Sequence, residues 1–360
     1  MQSLGSESVV RRVNLPRRST RSPLSRAFRQ GKKHMQRTRF AFLAALATLG
    51  AMATSSASAW EPKGQGECIA PSNPGGGWDM ICRTTSAVMQ KIGLYKDSIY
   101  VTNMPGGSGA VAIANVIAKR KADTNLIVAA SNSLTFTIAM RRTPHTYKDV
   151  IPIAQIGAEL SGFFVTPDSK YKSLGDVITA LKANPKAVNF AGGSAPGSQD
   201  HIRVALFAKS IGVDPTKIVY VPFLGGGEAL TSMLGGHTDI AAIDMSEATG
   251  QLEAKKIRAL AILSDKRSTK FPDIPTTYEQ GAPISYAVWR GIYMAPGVPA
   301  DAAKWWTDAF QKMVASPEWA AERDKLGWEP ITRFGDDFVK YVNDDQAQSA
   351  ALLKELGFVK

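Results

Sequence analysis

The chain has 360 residues and a formal net charge of +12, from 43 Lys and Arg against 31 Asp and Glu. Eleven of the basic residues and one acid lie in residues 1–39, which leaves 32 basic against 30 acidic residues in the rest. Because the excess charge belongs to the N-terminal segment, it does not indicate nucleic-acid binding, and we expect no nucleic-acid partner.

Residues 1–59 are organised like a secretory leader. The basic segment precedes an uncharged stretch, FAFLAALATLGAMA at 40–53, and Ala57-Ser58-Ala59 offers small residues at the positions that a signal peptidase reads. The stretch is shorter than the roughly twenty residues that span a bilayer, which disfavours a membrane anchor. We therefore predict cleavage after Ala59, a periplasmic mature chain, and a translation start at Met1 or at Met35.

The chain contains two cysteines, Cys68 and Cys82. In an exported protein such a pair typically forms a disulfide, and a loop of about 15 residues closed in this way contributes roughly 3 kcal/mol in the chain-entropy model. The alternative is a metal site, which would need further Cys or His residues nearby, and the sequence has none there. We predict a disulfide, no metal and no cofactor.

From Glu67 onward, short apolar segments alternate with glycine-rich loops and helical patterns. In chain order, the paired segments include ECIA with the triple glycine at 75–77, SIYVT with NMPGGSG, AVNFA with GGSAPGSQD, and KIVYVPF with LGGGEALTSML. This alternation predicts βαβ units, with parallel sheets and helices on both faces. Ligands of such sheets bind at the carboxyl ends of the strands, where these loops would gather.

The glycine loops at 75–77, 106–109, 192–198 and 225–227 favour binding of an anion by backbone amides. The first amides of a helix lack intrahelical acceptors, and the helix dipole adds about half a positive charge there. Glycine lets a ligand approach without a Cβ in the way, and a carboxylate fits as readily as a phosphate. The alternative is that these glycines serve only tight turns, but their recurrence beside Ser, Thr and Asn favours a binding cleft.

Residues 60–360 lack the sequence signatures of common enzymes. G-x-S-x-G, HExxH, CxxC, the Walker loop and the dinucleotide fingerprint are all missing from this segment. The three histidines there, His145, His201 and His237, have no recognisable nucleophile beside them. One enzymatic alternative remains at this point, a secreted hydrolase that uses an unrecognised acid pair such as Asp79 and Asp244.

Six motifs together resemble one family. In chain order they are APSNPGGGWDMICR, NMPGGSGAVAIANV, GGSAPGSQDHI, VPFLGGGEALTSMLGGHTDIA, SEATGQLEAKKIRALAIL and WRGIYMAPGVP. In these motifs and their order, the chain resembles the periplasmic receptors of tripartite tricarboxylate transporters, the Bug-type extracytoplasmic solute receptors. The pairing of EC before the first loop with WDMICR after it resembles the tricarboxylate-receptor branch. The resemblance runs from about Glu67 to the C-terminus.

The resemblance implies an α/β fold of the type II periplasmic binding protein class, with two Rossmann-like lobes, two crossovers and a ligand cleft. Lobe 1 would hold residues 60–161 with 286–360, and lobe 2 would hold residues 162–285. Such a receptor catalyses no reaction: it closes over a small carboxylate, such as a tricarboxylate or dicarboxylate. It then delivers the ligand to one large and one small multi-spanning membrane subunit. A receptor that signals to a partner is a further alternative.

The resemblance also implies a set of ligand-binding residues: Gly76, Gly77, Trp78, Asp79, Ser131 and Ser133 from lobe 1, and Ser194, Gly197, Ser198, Gly226 and Asp244 from lobe 2. Asp79 could instead cap its helix. Asp244 could receive a ligand hydroxyl or ammonium, or lie back from the cleft. Arg83 and Arg290 could pair with a further ligand carboxylate, or could belong to a solvated helix face and to hinge packing.

Overall fold

The computed structural model describes residues 60–359, so the predicted leader and its cleavage site lie outside the described residues. The strands are β1 Gly66–Ala70, β2 Ile99–Asn103, β3 Leu126–Ala130, β4 Ile151–Val165, β5 Asn189–Gly192, β6 Val219–Pro222, β7 Ile240–Asp244, β8 Arg258–Ile262, β9 Ala287–Met294, β10 Trp328–Glu329 and β11 Arg333–Phe334. The helices are α1 Gly77–Lys91, α2 Ala110–Lys119, α3 Asn132–Ala139, α4 Leu174–Ala183, α5 Gln199–Ser210, α6 Gly226–Leu234, α7 Met245–Glu253, α8 Ala300–Val314, α9 Pro317–Leu326 and α10 Gly335–Glu355. Between residues 60 and 359, no helix has the length and apolar character needed to cross a membrane.

The strands form one mixed sheet in the order β2-β1-β3-β9-β4-β7-β5-β6, and β8, β10 and β11 also pair with β4. β1 is parallel to β2 and β3, and β5 is parallel to β6 and β7, as the alternating pattern predicts. β4 and β9 are antiparallel to each other and to their outer neighbours, which the expectation of parallel sheets missed. The cause is that these two strands lie between the parallel groups: β9 runs against the first group at β3, and β4 runs against the second group at β7.

The long strand β4 belongs to both parts of the sheet. Its segment Ile151–Leu160 pairs with β9, whereas Ser161–Val165 pairs with β7 and β8. Thirteen of its fifteen residues are buried, because the strand is covered on both faces. The change of partners falls between Leu160 and Ser161.

Separate hydrophobic clusters lie on the two sides of the point where β4 changes partners. The first cluster contains β1, β3, α1 and α8, with Trp306 and Phe310 fully buried. The second contains Phe163, Phe190 and Phe207, whose ring centroids lie 5.0 to 6.4 Å apart. A smaller third cluster lies under α6 and α7.

Helix α10 packs on both large clusters. Phe338 and Val342 near its start lie in the first cluster, while Leu353 near its end and Leu356 just beyond lie in the second. The helix therefore connects the two parts of the molecule over a length of 21 residues.

The loops after β1, β2 and β3 face the loops after β5, β6 and β7. We call segments 71–78, 104–109 and 131–133 the first wall, and segments 193–200, 222–228 and 244–247 the second wall. The walls contact each other directly, since the Asn73 amide donates to the Leu224 carbonyl at 3.2 Å and the Ala195 amide donates to Ser108 Oγ at 2.7 Å. The glycine loops thus meet at one cleft, at the carboxyl ends of the parallel strands.

Candidate functional site

Two adjoining cavities lie between the walls. The inner cavity, of about 20 Å³, is lined by Ser72, Gly77, Trp78 and Ser133 on one side, by Gly193, Ser194, Gln199, Asp200, Gly225 and Glu247 on the other, and by Arg290 of β9. The outer cavity, of about 360 Å³, is lined by segments 106–108, 193–196 and 222–224 and by Pro71, Trp78 and Glu228. They share Trp78, Gly193 and Ser194, so together they form one continuous cleft.

The cavities divide the predicted ligand-binding residues into two sets. Four of them line the cleft, namely Gly77, Trp78, Ser133 and Ser194. The others do not line either cavity, namely Gly76, Asp79, Ser131, Gly197, Ser198, Gly226 and Asp244. Except for Gly76, the residues of this second set make the hydrogen bonds described below.

The first loop is held at both of its ends. Cys68 in β1 and Cys82 in α1 form a disulfide, with their Cα atoms 5.6 Å apart, as the sequence predicts. Asp79 accepts hydrogen bonds from the Gly75 amide at 3.0 Å and from Asn103 Nδ2 at 2.9 Å. These contacts fix the loop before α1 without using the ligand cavities.

The carboxylate of Asp79 also pairs with Arg83, whose Nε lies 2.8 Å from Oδ2. Burial raises the pKa of Asp79, but the hydrogen bonds from Arg83, Gly75 and Asn103 outweigh it and lower the pKa overall. Of the two roles considered for Asp79, the geometry favours holding the start of its helix over contacting the ligand. Arg83 lies on the exposed side of α1, with 55% of its side chain accessible.

The serines at the starts of α3 and α5 join the two walls. Ser131 caps α3 by accepting from the Ser133 amide, and its hydroxyl donates to Gln199 Oε1 at 2.9 Å. The hydroxyls of Ser133 and Ser198 lie 2.6 Å apart. The hydroxyls of Ser131 and Ser133, expected to donate to a ligand, thus contact residues of the second wall.

Gly197 is involved in orienting α5. Its backbone, with φ of +75°, donates an amide hydrogen bond to His201 Nδ1 at 2.8 Å. The imidazole is stacked on Tyr220 at 4.5 Å between ring centroids. Burial and the nearby Arg142 lower the pKa of His201 to about 4, so this histidine is neutral at pH 7 and accepts the Gly197 hydrogen bond.

Glu247 occupies the cradle of backbone amides between the walls. Its Oε1 accepts from the Gly77 amide at 2.8 Å and from the Gly226 amide at 3.2 Å. Gly77 begins α1 and Gly226 begins α6, so the carboxylate lies at the N-termini of two helices that come from opposite walls. A Cβ at position 226 would overlap this carboxyl group, which explains the glycine there.

Sequence reasoning missed Glu247. Its Oε2 also accepts from the amide of Asp244 at 3.1 Å, so the two residues form the capping box of α7. The pattern Asp244-Met-Ser-Glu247 directly after an apolar strand is the signal that could have predicted it.

The floor of the cleft carries several carboxyl groups. Burial, together with the carboxylates of Asp244 and Asp200, raises the pKa of Glu247 to about 8, while Arg290 acts in the opposite direction. Burial likewise raises the pKa of Asp200 to about 6 against the effect of Arg203. Two of the acids that line the inner cavity therefore hold protons more tightly than ordinary carboxyl groups.

A buried ion network lies behind the cleft. Arg290 Nε donates to Glu159 Oε2 at 2.8 Å, and its Nη2 pairs with both Glu159 and Asp244. Arg203 Nη2 lies 2.7 Å from Asp200 and 2.5 Å from Asp244. Burial raises the pKa of Asp244, but the two arginines outweigh it and hold the pKa below its usual value. Asp244 thus takes the position back from the cleft, one of the alternatives that the sequence left open.

Two uncharged residues that line the inner cavity, Ser72 and Trp78, each have a side-chain polar atom with no hydrogen-bond partner among residues 60–359. These atoms are Ser72 Oγ and Trp78 Nε1, and both residues are more than nine-tenths buried. Because buried polar groups are normally paired, the two atoms are candidates for contact with a bound molecule. Trp78 is among the predicted residues, whereas Ser72 is not.

Comparison with known proteins identifies the family. The family described as "Tripartite tricarboxylate transporter family receptor" matches residues 81–358 of the chain. The chain belongs to this receptor family. The resemblance read from the six motifs is thereby confirmed. Because the family consists of solute-binding receptors and not of enzymes, the secreted-hydrolase alternative is wrong.

Curated relatives match almost the whole chain. A UPF0065 protein of Bordetella pertussis is 29% identical over 329 residues, which cover 88% of this chain and 98% of the relative. Protein BugT of the same organism is 28% identical, covering 87% of this chain and 95% of the relative.

Solved structures show the same α/β fold. A TctC solute-binding protein from Polaromonas is 26% identical with a TM-score of 0.57, covering 82% of this chain and 100% of that one. An R. palustris protein solved with adipate is 25% identical with a TM-score of 0.74, covering 82% and 98%. The chain therefore has the fold of the TctC and Bug periplasmic binding proteins, as the sequence predicts.

Proposed function

We propose that this chain is a periplasmic receptor that captures a small carboxylate in the cleft and delivers it to a tripartite tricarboxylate-type membrane transporter. The observation that carries the proposal is the position of the Glu247 carboxyl group on the amides of Gly77 and Gly226. The N-termini of two helices bind carboxylates in general, and here their amides already hold a carboxyl oxygen. The partners would be one large and one small multi-spanning membrane subunit.

The ligand would be held mainly by the residues that line the cleft. Gly77 would supply a backbone amide, Ser133 and Ser194 would supply hydroxyls, and Ser72 Oγ and Trp78 Nε1 would find their missing partners in the ligand. The Gly226 amide would join that of Gly77. Gly76, Asp79, Ser131, Gly197, Ser198 and Asp244 would position these groups.

Closure of two lobes would trap the ligand. Residues 60–161 with 286–360 would form one lobe and residues 162–285 the other. The change of partners in β4 after Leu160 supports this boundary. A ligand that contacts both walls binds the closed state more tightly and shifts the population toward it.

Binding of organic acids to residues 60–360 tests the proposal. We expect citrate, malate, adipate or a monocarboxylate such as hexanoate to raise the melting temperature by several degrees. NMR of the recovered acid should show it chemically unchanged. If none of a broad panel of carboxylates changes the melting temperature, or if the acid is consumed, the proposed function is wrong.

A matched pair of tryptophan variants locates the site. Trp78→Phe keeps the ring and removes only the unpaired N–H, so we expect the affinity to fall about tenfold. Trp305→Phe changes a half-buried tryptophan of α8 in the same way and should leave the affinity unchanged. Gly77 is less suitable for this test, because a Cβ there would lie 2.7 Å from Arg290 Nη1 and would disturb the buried ion network.

A further inference from the structure

The charged side chains that line the cleft restrict the chemistry of the ligand further than membership of the receptor family does. Among the residues that line the two cavities, the acidic side chains are Asp200, Glu228 and Glu247, and Arg290 is the single basic one. Arg290 is already paired with Glu159 and Asp244 behind the cavity. A ligand therefore meets more carboxyl groups than cations.

The outer cavity has the volume for the body of a small ligand, whereas the inner cavity of about 20 Å³ does not. The walls of the outer cavity include glycines, prolines, Trp78, Phe223 and Leu224, together with Ser108 and Ser194. Glu228 is the one charged residue that lines it, and this carboxylate already accepts from the Leu224 amide at 3.1 Å.

We propose that the ligand is a monocarboxylate with an uncharged, largely apolar body, and that its carboxylate replaces the Glu247 carboxyl group on the Gly77 and Gly226 amides. This inference rests on the proposed function. The ligand body would extend past Trp78 into the outer cavity, and the Glu247 side chain would leave the two amides.

Repulsion between like charges gives the physical reason. A first ligand carboxylate can take over amide hydrogen bonds that Glu247 already makes. A second carboxylate in the outer cavity would lie beside the exposed carboxylate of Glu228, with no basic side chain among the lining residues. It would lose part of its hydration without gaining a partner, so dicarboxylates are disfavoured relative to monocarboxylates of the same length.

Glu247 has the position of an internal competitor. Its carboxyl group bridges the walls, through Gly77 on one side and Gly226 on the other. A ligand carboxylate must displace it, so the measured affinity includes the cost of that displacement. Removal of the Glu247 carboxyl should then raise the affinity for the ligand instead of lowering it.

Three acids of equal chain length test the inference. Hexanoate, adipate and 6-aminohexanoate end in a methyl, a carboxylate and an ammonium group. By calorimetry on residues 60–360 at pH 7, we expect hexanoate to bind at least about tenfold more tightly than adipate. We also expect it to bind more tightly than 6-aminohexanoate, because an exposed carboxylate such as Glu228 stabilises an ammonium group only weakly. Tighter binding of adipate or of 6-aminohexanoate would overturn the inference while leaving the proposed function standing. Failure of all three acids, and of the broader panel above, would overturn both.

Variants of single carboxyl groups test the assigned positions. Glu247→Ala should raise the affinity for hexanoate about tenfold, because the competing carboxyl is gone. Glu228→Gln should raise the affinity for adipate more than that for hexanoate. Glu253→Gln, at the exposed end of α7, is the control and should change neither. A loss of hexanoate binding in folded Glu247→Ala would show that Glu247 holds the ligand and does not compete with it.

Discussion

Arg290 and Arg83 carry the same charge in opposite environments. Arg290 is 1% exposed and is the shared partner of Glu159 and Asp244, whereas Arg83 is largely accessible and pairs with Asp79 one helical turn away. Removing one partner of a buried pair leaves an uncompensated charge, while an exposed pair is screened by water. Loss of Arg290 should therefore lower the free energy of unfolding much more than loss of Arg83.

Substitution of each arginine by alanine tests this difference. In urea denaturation we expect Arg290→Ala to lower the free energy of unfolding by about 3–5 kcal/mol, because Glu159 remains buried without its basic partner and Asp244 keeps only Arg203. Arg83→Ala is the matched control and should lower it by about 1 kcal/mol or less. Equal effects of the two variants would contradict the buried network.

At the scale of single elements, the unit β1, first loop and α1 is held together by the Cys68–Cys82 disulfide. Both cysteines are fully buried, and the bond encloses the loop that presents Gly77 and Trp78 to the cleft. The cross-link restricts the unfolded chain and also keeps the amides of the loop in place before a ligand arrives.

Removal of the disulfide should therefore affect both stability and binding. For the double variant Cys68→Ala/Cys82→Ala we expect the free energy of unfolding to fall by about 2–4 kcal/mol. We expect carboxylate affinity to fall as well, measured at a temperature where the variant is folded. The unchanged chain under reducing conditions serves as the control and should behave like the variant. If the variant binds with full affinity, the bond does not pre-organise the loop.

The same unit shows what a sequence can predict and what it cannot. The triple glycine, the helical face at Ile81, Thr85 and Val88, and the disulfide are local features, and the structure has all of them. The contact between Gly77 and Glu247 joins residues 170 positions apart. No periodicity or spacing connects such positions, so this part of the site depends on the assembled fold.

At the scale of the whole molecule, the two walls meet while several elements connect the regions behind them. β4, β9 and α10 pass between the two parts, and the ion network of Arg290 lies beside the same strands. The parallel groups were predictable from strand and helix alternation. The antiparallel connection was not predictable, because the apolar pattern of a long strand is the same whether its partners are parallel or antiparallel.

Gly225, which lines the inner cavity, is a position where an added side chain would meet the opposite wall. Its φ of 178° is extended and suits any residue, and a Cβ there would lie 3.4 Å from the Cα of Gly76 on the opposite wall. A leucine side chain reaches further than Cβ, so Gly225→Leu should hold the walls apart. Since apparent affinity falls with the fraction of the closed state, we expect it to drop by at least about tenfold.

Gly250→Leu, in α7 where a Cβ meets nothing within 4 Å, is the matched control and should bind normally. Small-angle X-ray scattering with a saturating carboxylate should show compaction of the control but not of Gly225→Leu. The melting temperatures of the two variants without ligand should be close, because neither change strains the backbone. Normal affinity and normal compaction in Gly225→Leu would mean that the ligand is not held by approach of these two walls.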